Sequence, residues 1–230
     1  KKEFPNIGKF DVIINCAGVS KIDICEKLNN KVDYINFLSS HDIMNEYSND
    51  DTQLINISSS HVFDGSKERF NVSEARNPLN YYGYTKIKLE DITLNYKGSI
   101  VRAPKIVDNY FPRFADWYEK LRNNEQIIAA SDLKVSLIHV NEFCELIKEI
   151  IKYGERGIEQ ISSNRSISYY DLAKNLAKNF EFNYDLIKPF KINEKTNNLY
   201  GENCSLHQTR IASLVNKKSN LEIFDNLKLN

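Results

Sequence analysis

The stretch Asp11-Val-Ile-Ile-Asn-Cys-Ala-Gly18 is a continuous apolar run that ends in small residues. Consecutive apolar positions, without alternation, are typical of a strand that is buried on both faces of a parallel sheet. Gln53-Leu-Ile-Asn-Ile-Ser-Ser-Ser60 and Ser99-Ile-Val-Arg-Ala-Pro104 repeat this pattern. The three runs therefore predict three parallel strands.

Helical stretches separate these predicted strands. One runs from about Asp23 to Tyr47, and another runs from about Tyr81 to Tyr96. The order strand, helix, strand, helix, strand predicts right-handed βαβ units and an α/β fold. Ligands of open parallel sheets bind at the carboxyl ends of the strands, so we expect the functional residues there.

The second half of the chain has a different pattern, and we predict that it is a smaller mixed subdomain. The division predicted from this change places residues 1–108 in one part and residues 109–230 mainly in the other, with segments that return to the sheet. The tail from Lys188 is rich in Asn and Lys and is less regular. The elements predicted in this half are a helix at Phe114–Leu121, a strand at Val135–Val140, a helix capped by Asn141 that ends near Tyr153, a strand at Gly157–Ile161, and a helix capped by Ser168.

Composition excludes several classes of protein. The chain has 230 residues, and its 31 basic and 31 acidic side chains give a formal net charge of zero. A nucleic-acid or membrane-surface protein usually has a basic excess, so we expect neither partner. No stretch approaches the ~18 apolar residues of a membrane span. The four cysteines form no C-x-x-C pair and the four histidines lack metal-ligand spacing, so we expect reduced buried thiols, no metal and a cytoplasmic location.

The strongest candidate for chemistry is the pair Tyr82 and Lys86 in the segment Tyr82-Gly-Tyr-Thr-Lys86. Residues four apart on a helix share one face, with Cβ atoms roughly 5–6 Å apart. A nearby ammonium is expected to lower the pKa of a tyrosine from ~10, which would make it a better proton donor and acceptor. The spacing alone is also compatible with an exposed helix face, because the chain has 13 tyrosines.

Small and hydroxyl-bearing residues end the strands that lie before this pair. Ser58-Ser-Ser60 follows the second strand, where a hydroxyl can hydrogen-bond a substrate carbonyl or simply cap the strand. Asn15-Cys-Ala-Gly18 ends the first strand, where small residues can admit a flat cofactor or simply form a tight turn.

This layout resembles the short-chain dehydrogenase/reductase superfamily and, within it, the dTDP-4-dehydrorhamnose reductase family. The resemblance covers nearly the whole chain, and its most specific parts are the Val-Phe-Asp-Gly and Tyr-Gly-x-Thr-Lys motifs. The segments that carry it are Asp11–Gly18, Ile22-Asp-Ile-Cys-Glu26, Asn36, Ile57-Ser-Ser-Ser-His-Val-Phe-Asp-Gly65, Pro78-Leu-Asn-Tyr-Tyr-Gly-Tyr-Thr-Lys86 with Glu90, His139–Phe143, Gly157–Ser162 and Asn203–Arg210.

The resemblance implies a role for each matching residue. Ser59 takes the position of the catalytic Ser or Thr, Tyr82 that of the catalytic acid, and Lys86 that of the lysine that binds the nicotinamide ribose and tunes the tyrosine. Asn36 is expected to buttress the active-site strand. The residues expected at the NADP or NAD cofactor are Asn15, Ala17, Ser58, Tyr82, Lys86 and Pro104, and those expected at the substrate are Ser60 and His61.

Three of these positions differ from the family pattern, which leaves the sugar open. Ser59 stands in place of Thr, Ser60 in place of Asp, and His61 in place of a substrate-facing Tyr. Farther along the chain, Trp117 and Arg113 are expected to be a core side chain and a solvated charge, rather than contacts to a nucleotide.

The resemblance implies a Rossmann-like, doubly wound sheet in which the first part binds NAD(P) and the second binds a nucleotide sugar. The implied activity is the reduction of a nucleotide-linked 4-keto-deoxy sugar in polysaccharide or cell-surface sugar synthesis, by an enzyme that the family suggests is a homodimer. Two alternatives remain: a nucleotide-sugar epimerase or dehydratase, and a non-catalytic nucleotide-binding or regulatory module.

The Gly-rich phosphate turn of the family has no counterpart in this sequence, whose 8 glycines are scattered. The first predicted strand matches the fourth strand of the family. We therefore expect that roughly 50–60 residues, the length of two βα units, precede this chain in a complete protein, or that the chain is a diverged member that lost the phosphate site.

Overall fold

The computed structural model describes residues 8–49, 51–108, 111–163, 165–192 and 198–215. The strands in this part of the chain are β1 Val12–Asn15, β2 Gln53–Ser59, β3 Ser99–Ala103, β4 Lys105–Val107, β5 Ile127–Ala130, β6 Lys134–Val135, β7 Leu137–His139, β8 Gly157–Gln160, β9 Ile167–Ser168 and β10 Ile187–Phe190. The α-helices are α1 Ile22–Leu28, α2 Ser39–Tyr47, α3 Tyr81–Asn95, α4 Pro112–Arg122, α5 Val140–Tyr153, α6 Tyr169–Asn179 and α7 Arg210–Leu214.

The central sheet has the order β1-β2-β3-β8, and each neighbouring pair is parallel. The register places Ser59, at the end of β2, opposite Ala103, at the end of β3. These two strand ends meet at one edge of the sheet, as expected for parallel strands joined by helices. The predicted α/β class with a parallel sheet is therefore confirmed.

Two apolar cores support this arrangement. One lies between the central sheet and helices α5 and α7, where Ile55 and Val101 meet Leu146, Ile150 and Ile211. The other lies in the second half of the chain, where α4 and α6 pack on β5 and β10. β8 brings this half back to the central sheet by pairing with β3. The predicted boundary at 108/109 lies beside residues 109–110, which are outside the described ranges.

The structure divides the helical stretch predicted from Asp23 to Tyr47 into helices of different types. α1 ends at Leu28, and Asn29 has a φ of 48°, which a continuing helix cannot use. A 3-10 turn and then a π-helical turn at Tyr34–Leu38 lead into α2. π-helical turns are rare in proteins, and those that occur often lie at functional sites. This one contains the buried Asn36.

The capping residues agree only in part with the sequence expectations. Ser168 caps α6, since its hydroxyl accepts a hydrogen bond from the Asp171 N–H at 3.0 Å. The predicted cap Asn141 is wrong, because α5 begins at Val140 and Asn141 lies inside its first turn, where the ring of His139 accepts from the Asn141 N–H at 3.2 Å. The tail from Lys188 contains part of β10 and all of α7, and residues 216–230 lie outside the described part.

The helices are also short or amphipathic. Among the residues that the structure describes, no helix has both the length and the apolar character needed to cross a membrane.

Candidate active site

The first turn of α3 carries the catalytic candidate Tyr82. The helix begins there because the side chain of Asn80 accepts a hydrogen bond from the Gly83 N–H at 2.8 Å. Gly83 packs directly on the backbone after β2, since a Cβ atom at this position would lie 2.1 Å from the carbonyl oxygen of His61. Glycine at this position therefore allows the helix to approach the end of β2, which carries Ser59.

The hydroxyls of Ser59 and Tyr82 are brought together at this contact, and both side chains are buried. Burial raises the pKa of the Tyr82 hydroxyl to about 12, and the neighbouring Ser59 side chain lowers the pKa by a smaller amount. The expectation that Lys86 lowers the pKa of Tyr82 overall is wrong, because burial disfavours the phenolate more than its neighbours favour it. Tyr82 is a neutral phenol at neutral pH and can act as a proton donor.

Lys86 lies one helical turn after Tyr82, on the same face of α3. Its Nζ atom donates to the carbonyl oxygen of Ile57 at 2.8 Å and lies 5.8 Å from the centre of the Tyr82 ring. Burial lowers the pKa of Lys86 to about 8. An ammonium has three donors, and the described residues accept from one of them.

Gly18 leaves space beside this ammonium. A Cβ atom at Gly18 would lie 3.5 Å from Lys86 Nζ and 3.7 Å from Asn36 Oδ1, so the missing side chain leaves room beside the two polar groups. Ala17 and Gly18 are both exposed at the end of β1. The residues present here are compatible with a hydroxyl-bearing ligand that accepts hydrogen bonds from Lys86.

Asn36 ties the turn after β1 to α3. Its Oδ1 accepts from the Val19 N–H at 2.7 Å, and its Nδ2 donates to the Val19 carbonyl at 3.2 Å and to Thr85 Oγ1 at 2.9 Å. The Thr85 hydroxyl in turn donates to the carbonyl of Tyr82 at 2.7 Å. Asn36 therefore supports the turn and the helix α3, whereas the sequence assigned it to the active-site strand.

The side chain of Asn15 is engaged within the protein. Its Nδ2 donates to Ser40 at 2.7 Å and to Asn56 at 2.9 Å, and its Oδ1 accepts from the Ala17 N–H at 3.0 Å. Asn56 continues the chain of hydrogen bonds to Thr93 on α3 at 2.8 Å. Asn15 was predicted to line the cofactor, but its side chain bonds to the backbone of the turn after β1. Ala17 is exposed on that turn.

Ser58 is also engaged, although the sequence assigned it to the cofactor. Its hydroxyl donates to Glu90 Oε1 at 2.6 Å. Glu90 is fully buried and also accepts from Arg102 through two bonds of 2.8 Å and from Arg76 at 3.2 Å. Sequence reasoning missed Arg102, because an arginine in an apolar strand gives no local sign of its buried partner.

The two predicted substrate residues occupy different surroundings. Ser60 is buried in the short turn after β2. The His61 ring is half-buried and meets the Tyr82 ring edge-on at 5.8 Å between centroids. Burial lowers the pKa of His61 to about 4, with a contribution from Lys105, so its ring is neutral at neutral pH. Pro104 is half-buried in the bend between β3 and β4.

Comparison with known proteins places this arrangement in a family. A family model described as the RmlD substrate binding domain matches residues 3–220. The chain belongs to this family. The resemblance to the dTDP-4-dehydrorhamnose reductases is thereby confirmed.

Individual relatives of this RmlD-family chain are distant. Methionine adenosyltransferase 2 subunit beta of Xenopus tropicalis is 34% identical over 95 residues, which are 40% of this chain and 28% of that protein. Spore coat polysaccharide biosynthesis protein SpsK of Bacillus subtilis (strain 168) is 25% identical over 167 residues, which are 71% of this chain and 59% of that protein. The chain thus spans less than two thirds of either relative.

A solved structure shares the fold of this RmlD-family chain. The crystal structure of dTDP-4-dehydrorhamnose reductase from Bacillus anthracis str. Ames, in complex with NADP, superposes with a TM-score of 0.84 at 20% identity. The match covers 94% of this chain and 79% of that one. The Rossmann-like fold predicted from the sequence is therefore confirmed.

Proposed function

We propose that the protein is an NAD(P)H-dependent reductase of a nucleotide-linked 4-keto-deoxy sugar that serves polysaccharide or cell-surface sugar synthesis. The observation that carries this proposal is that the buried side chains of Ser59 and Tyr82 lie together beside the buried ammonium of Lys86. The likeness to dTDP-4-dehydrorhamnose reductase and to the polysaccharide biosynthesis protein SpsK supports the choice of substrate class.

The roles of the side chains follow from their protonation and contacts. The neutral Tyr82 phenol holds the proton that the sugar oxygen needs when its carbonyl is reduced to an alcohol. The Ser59 hydroxyl, in contact with Tyr82, donates a hydrogen bond to the same oxygen and polarises the carbonyl. Lys86 places a positive charge behind the phenol, which favours the phenolate formed when the proton leaves.

The cofactor NADPH or NADH, when bound, supplies the hydride. The two Lys86 donors that the described residues leave over would hold its ribose hydroxyls, next to the open space at Gly18. Ala17 and Pro104 would line the same side of the site, and Ser58 and Asn15 would support it from behind.

The test of this function is the variant Tyr82→Phe, which removes only the hydroxyl. We expect reduction of dTDP-4-dehydrorhamnose by NADPH or NADH to fall about 10²–10⁴-fold, the usual contribution of a general acid. The matched control is Tyr84→Phe, because Tyr84 lies on the exposed face of the same helix. Unchanged turnover in Tyr82→Phe would sink the proposal.

A second candidate function is a binding or regulatory module without turnover of its own. It is favoured by the 34% identity over 95 residues to a protein named as a subunit of methionine adenosyltransferase 2. Calorimetry with NADPH and a turnover assay on the same preparation distinguish the two functions. Tight binding of NADPH with no reduction of any keto sugar supports the module.

The third candidate is a sugar-nucleotide epimerase or dehydratase, favoured by the neutral His61 ring beside Tyr82. Such an enzyme needs a further acid–base residue near the sugar, and it regenerates its own cofactor. Product analysis with and without added NAD(P)H distinguishes it, because a reductase forms product only when reduced cofactor is consumed.

A further inference from the structure

Two cationic side chains border the Tyr82 site without a carboxylate partner. Lys105 and Arg113 form no ion pair with any carboxylate in the part of the chain that the structure describes. Their visible contacts are with aromatic rings: Lys105 Nζ lies 5.4 Å from the Phe111 ring, and Arg113 Cζ lies 5.0 Å from the Tyr169 ring.

The strand register places Lys105 next to the catalytic candidates. Ser59 at the end of β2 is opposite Ala103 at the end of β3. His61 and Lys105 each follow two residues later in the chain, and they are close enough that Lys105 contributes to the lowering of the His61 pKa. Since the His61 ring contacts the Tyr82 ring, Lys105 lies at the border of the same site.

The first turn of α4 brings Arg113 to this border. Phe111, whose ring faces Lys105, is the residue before the helix. Arg113 is the second residue of the helix and directly follows Pro112. The two cations are close enough that Arg113 adds to the lowering of the Lys105 pKa that burial causes. Arg113 also acts to lower the pKa of Tyr200, and Tyr200 packs against an apolar cluster that contains Tyr82.

Two like charges held close together repel each other, and an opposite charge bound between them offsets this repulsion. The amino end of the eleven-residue helix α4 adds the partial positive charge of the helix dipole. An anionic oxygen group is the ligand that both features favour, and guanidinium and ammonium groups bind carboxylates and phosphates through short, charge-assisted hydrogen bonds.

We propose that Lys105 and Arg113 form an anion-binding pair that holds an anionic oxygen group of the substrate at the border of the Tyr82 site. The pair rests on the proposed function, because it assigns the substrate of that same site. The group is either the diphosphate of the nucleotide or a carboxylate on the sugar ring. Arg113 is then a ligand contact rather than the solvated charge expected from the sequence.

The test is calorimetric titration with two probes, dTDP for the diphosphate and methyl β-D-glucuronide for the carboxylate. We expect Lys105→Gln and Arg113→Gln each to weaken the binding of one probe about tenfold. Lys105→Arg should restore most of the affinity, because it keeps the charge. The probe that loses affinity identifies the source of the anion.

The matched control is Lys88→Gln. Lys88 also lies over an aromatic ring, at 5.3 Å from that of Tyr84, but it is on the outer side of α3. We expect it to bind both probes within twofold of the wild type. A readout that needs no ligand is the thermal midpoint, which should stay the same or rise in Lys105→Gln, because one of two repelling charges is gone.

The proposal is overturned if the wild type binds neither probe, or if both variants bind both probes as the wild type does. Turnover is not the readout, so the two proposals fail separately. A protein that binds dTDP through Lys105 and Arg113 but reduces no keto sugar contradicts the reductase and leaves the anion pair standing.

Discussion

The two halves of helix α3 treat their polar groups in opposite ways. In the first half, Tyr82 and Lys86 are buried with only part of their hydrogen-bonding capacity used within the described residues. In the second half, Glu90 accepts from three different side chains and Thr93 links Leu89 to Asn56. The first half of the helix thus carries buried polar groups that lack part of their hydrogen bonds. The second half carries buried polar groups whose hydrogen bonds are made within the protein.

This difference separates function from support. A buried polar group without its full set of partners costs free energy, and such groups concentrate where a ligand is to be bound. A satisfied network specifies how elements pack, and its loss is felt as instability. Substitutions in the two halves should therefore move the free energy of unfolding in opposite directions.

The largest effect on stability is expected from Arg102→Met. This change leaves Glu90 buried without the two 2.8 Å bonds from Arg102, and removing one partner of a buried ion pair costs about 3–5 kcal/mol. Urea denaturation gives the change in the free energy of unfolding. The double variant Glu90→Leu with Arg102→Met is the control, because it removes both charges and should recover part of the loss.

Arg102→Met with the stability of the wild type would contradict the assignment of this network to support. So would a double variant less stable than Arg102→Met, since the loss of Arg102 as a partner of the buried Glu90 charge is then not the cause. Arg122→Met is a surface comparison, because its ion pair with Glu119 is exposed and should contribute less than about 1 kcal/mol.

Lys86→Met should act in the opposite direction. The folded pKa of Lys86 is about 8, against 10.5 when it is exposed, so the folded state takes up its proton less readily than the unfolded chain. The charge therefore destabilises the fold by an amount on the order of 3 kcal/mol below pH 8, and this cost disappears as the pH rises to about 10.5. We expect Lys86→Met to be more stable at pH 7 and to have no reductase activity.

The pH dependence makes this prediction specific. The wild type should gain stability relative to Lys86→Met between pH 8 and 10.5, measured by urea denaturation at each pH. A constant difference across that range would show that the two proteins differ in packing rather than in the burial of a charge. Lys88→Met, on the outer side of α3, should show neither the gain nor the slope.

The sequence predicts the framework of this site well, because its signals are local. Runs of apolar residues give β1, β2 and β3, and the four-residue spacing places Tyr82 and Lys86 on one face of a helix. Family motifs added Ser59, which the structure brings to Tyr82. Each of these features is decided within a short segment of the chain.

The parts that the sequence misses depend on distant partners. The break in the predicted helix at 23–47 accompanies the contacts of Asn36 with Val19 and Thr85, which lie 17 and 49 residues away. The direction of the pKa shift of Tyr82 depends on its burial, which the spacing from Lys86 does not give. The hydroxyl of Ser58 donates to Glu90, which is 32 residues away and also accepts from Arg102.

Asn36 offers an intermediate effect, because its bonds support the half of α3 that carries Tyr82 and Lys86. Asn36→Ala removes three hydrogen bonds and leaves the Val19 N–H and Thr85 with lost partners, so we expect a loss of about 1–3 kcal/mol in stability. Turnover should fall as well, because Thr85 and Tyr82 are joined by the next bond. Asn45→Ala, on the exposed end of α2, should change neither.

The smallest effect at neutral pH is expected from His61→Gln. The ring is already neutral there, so the substitution removes an edge-on contact with Tyr82 that contributes roughly 0.5–1.5 kcal/mol.

In acid the sign of the effect changes. The folded pKa of about 4 is below the unfolded value of 6.5, so the unfolded chain binds the proton first and the wild type loses stability as the pH falls from 6.5 to 4. His61→Gln escapes that loss and should equal or exceed the wild type near pH 4, measured by urea denaturation. If the free energies of unfolding of the two proteins run parallel against pH, the His61 ring takes up its proton as easily in the folded as in the unfolded chain. His61 would then not share the incomplete solvation of Tyr82 and Lys86.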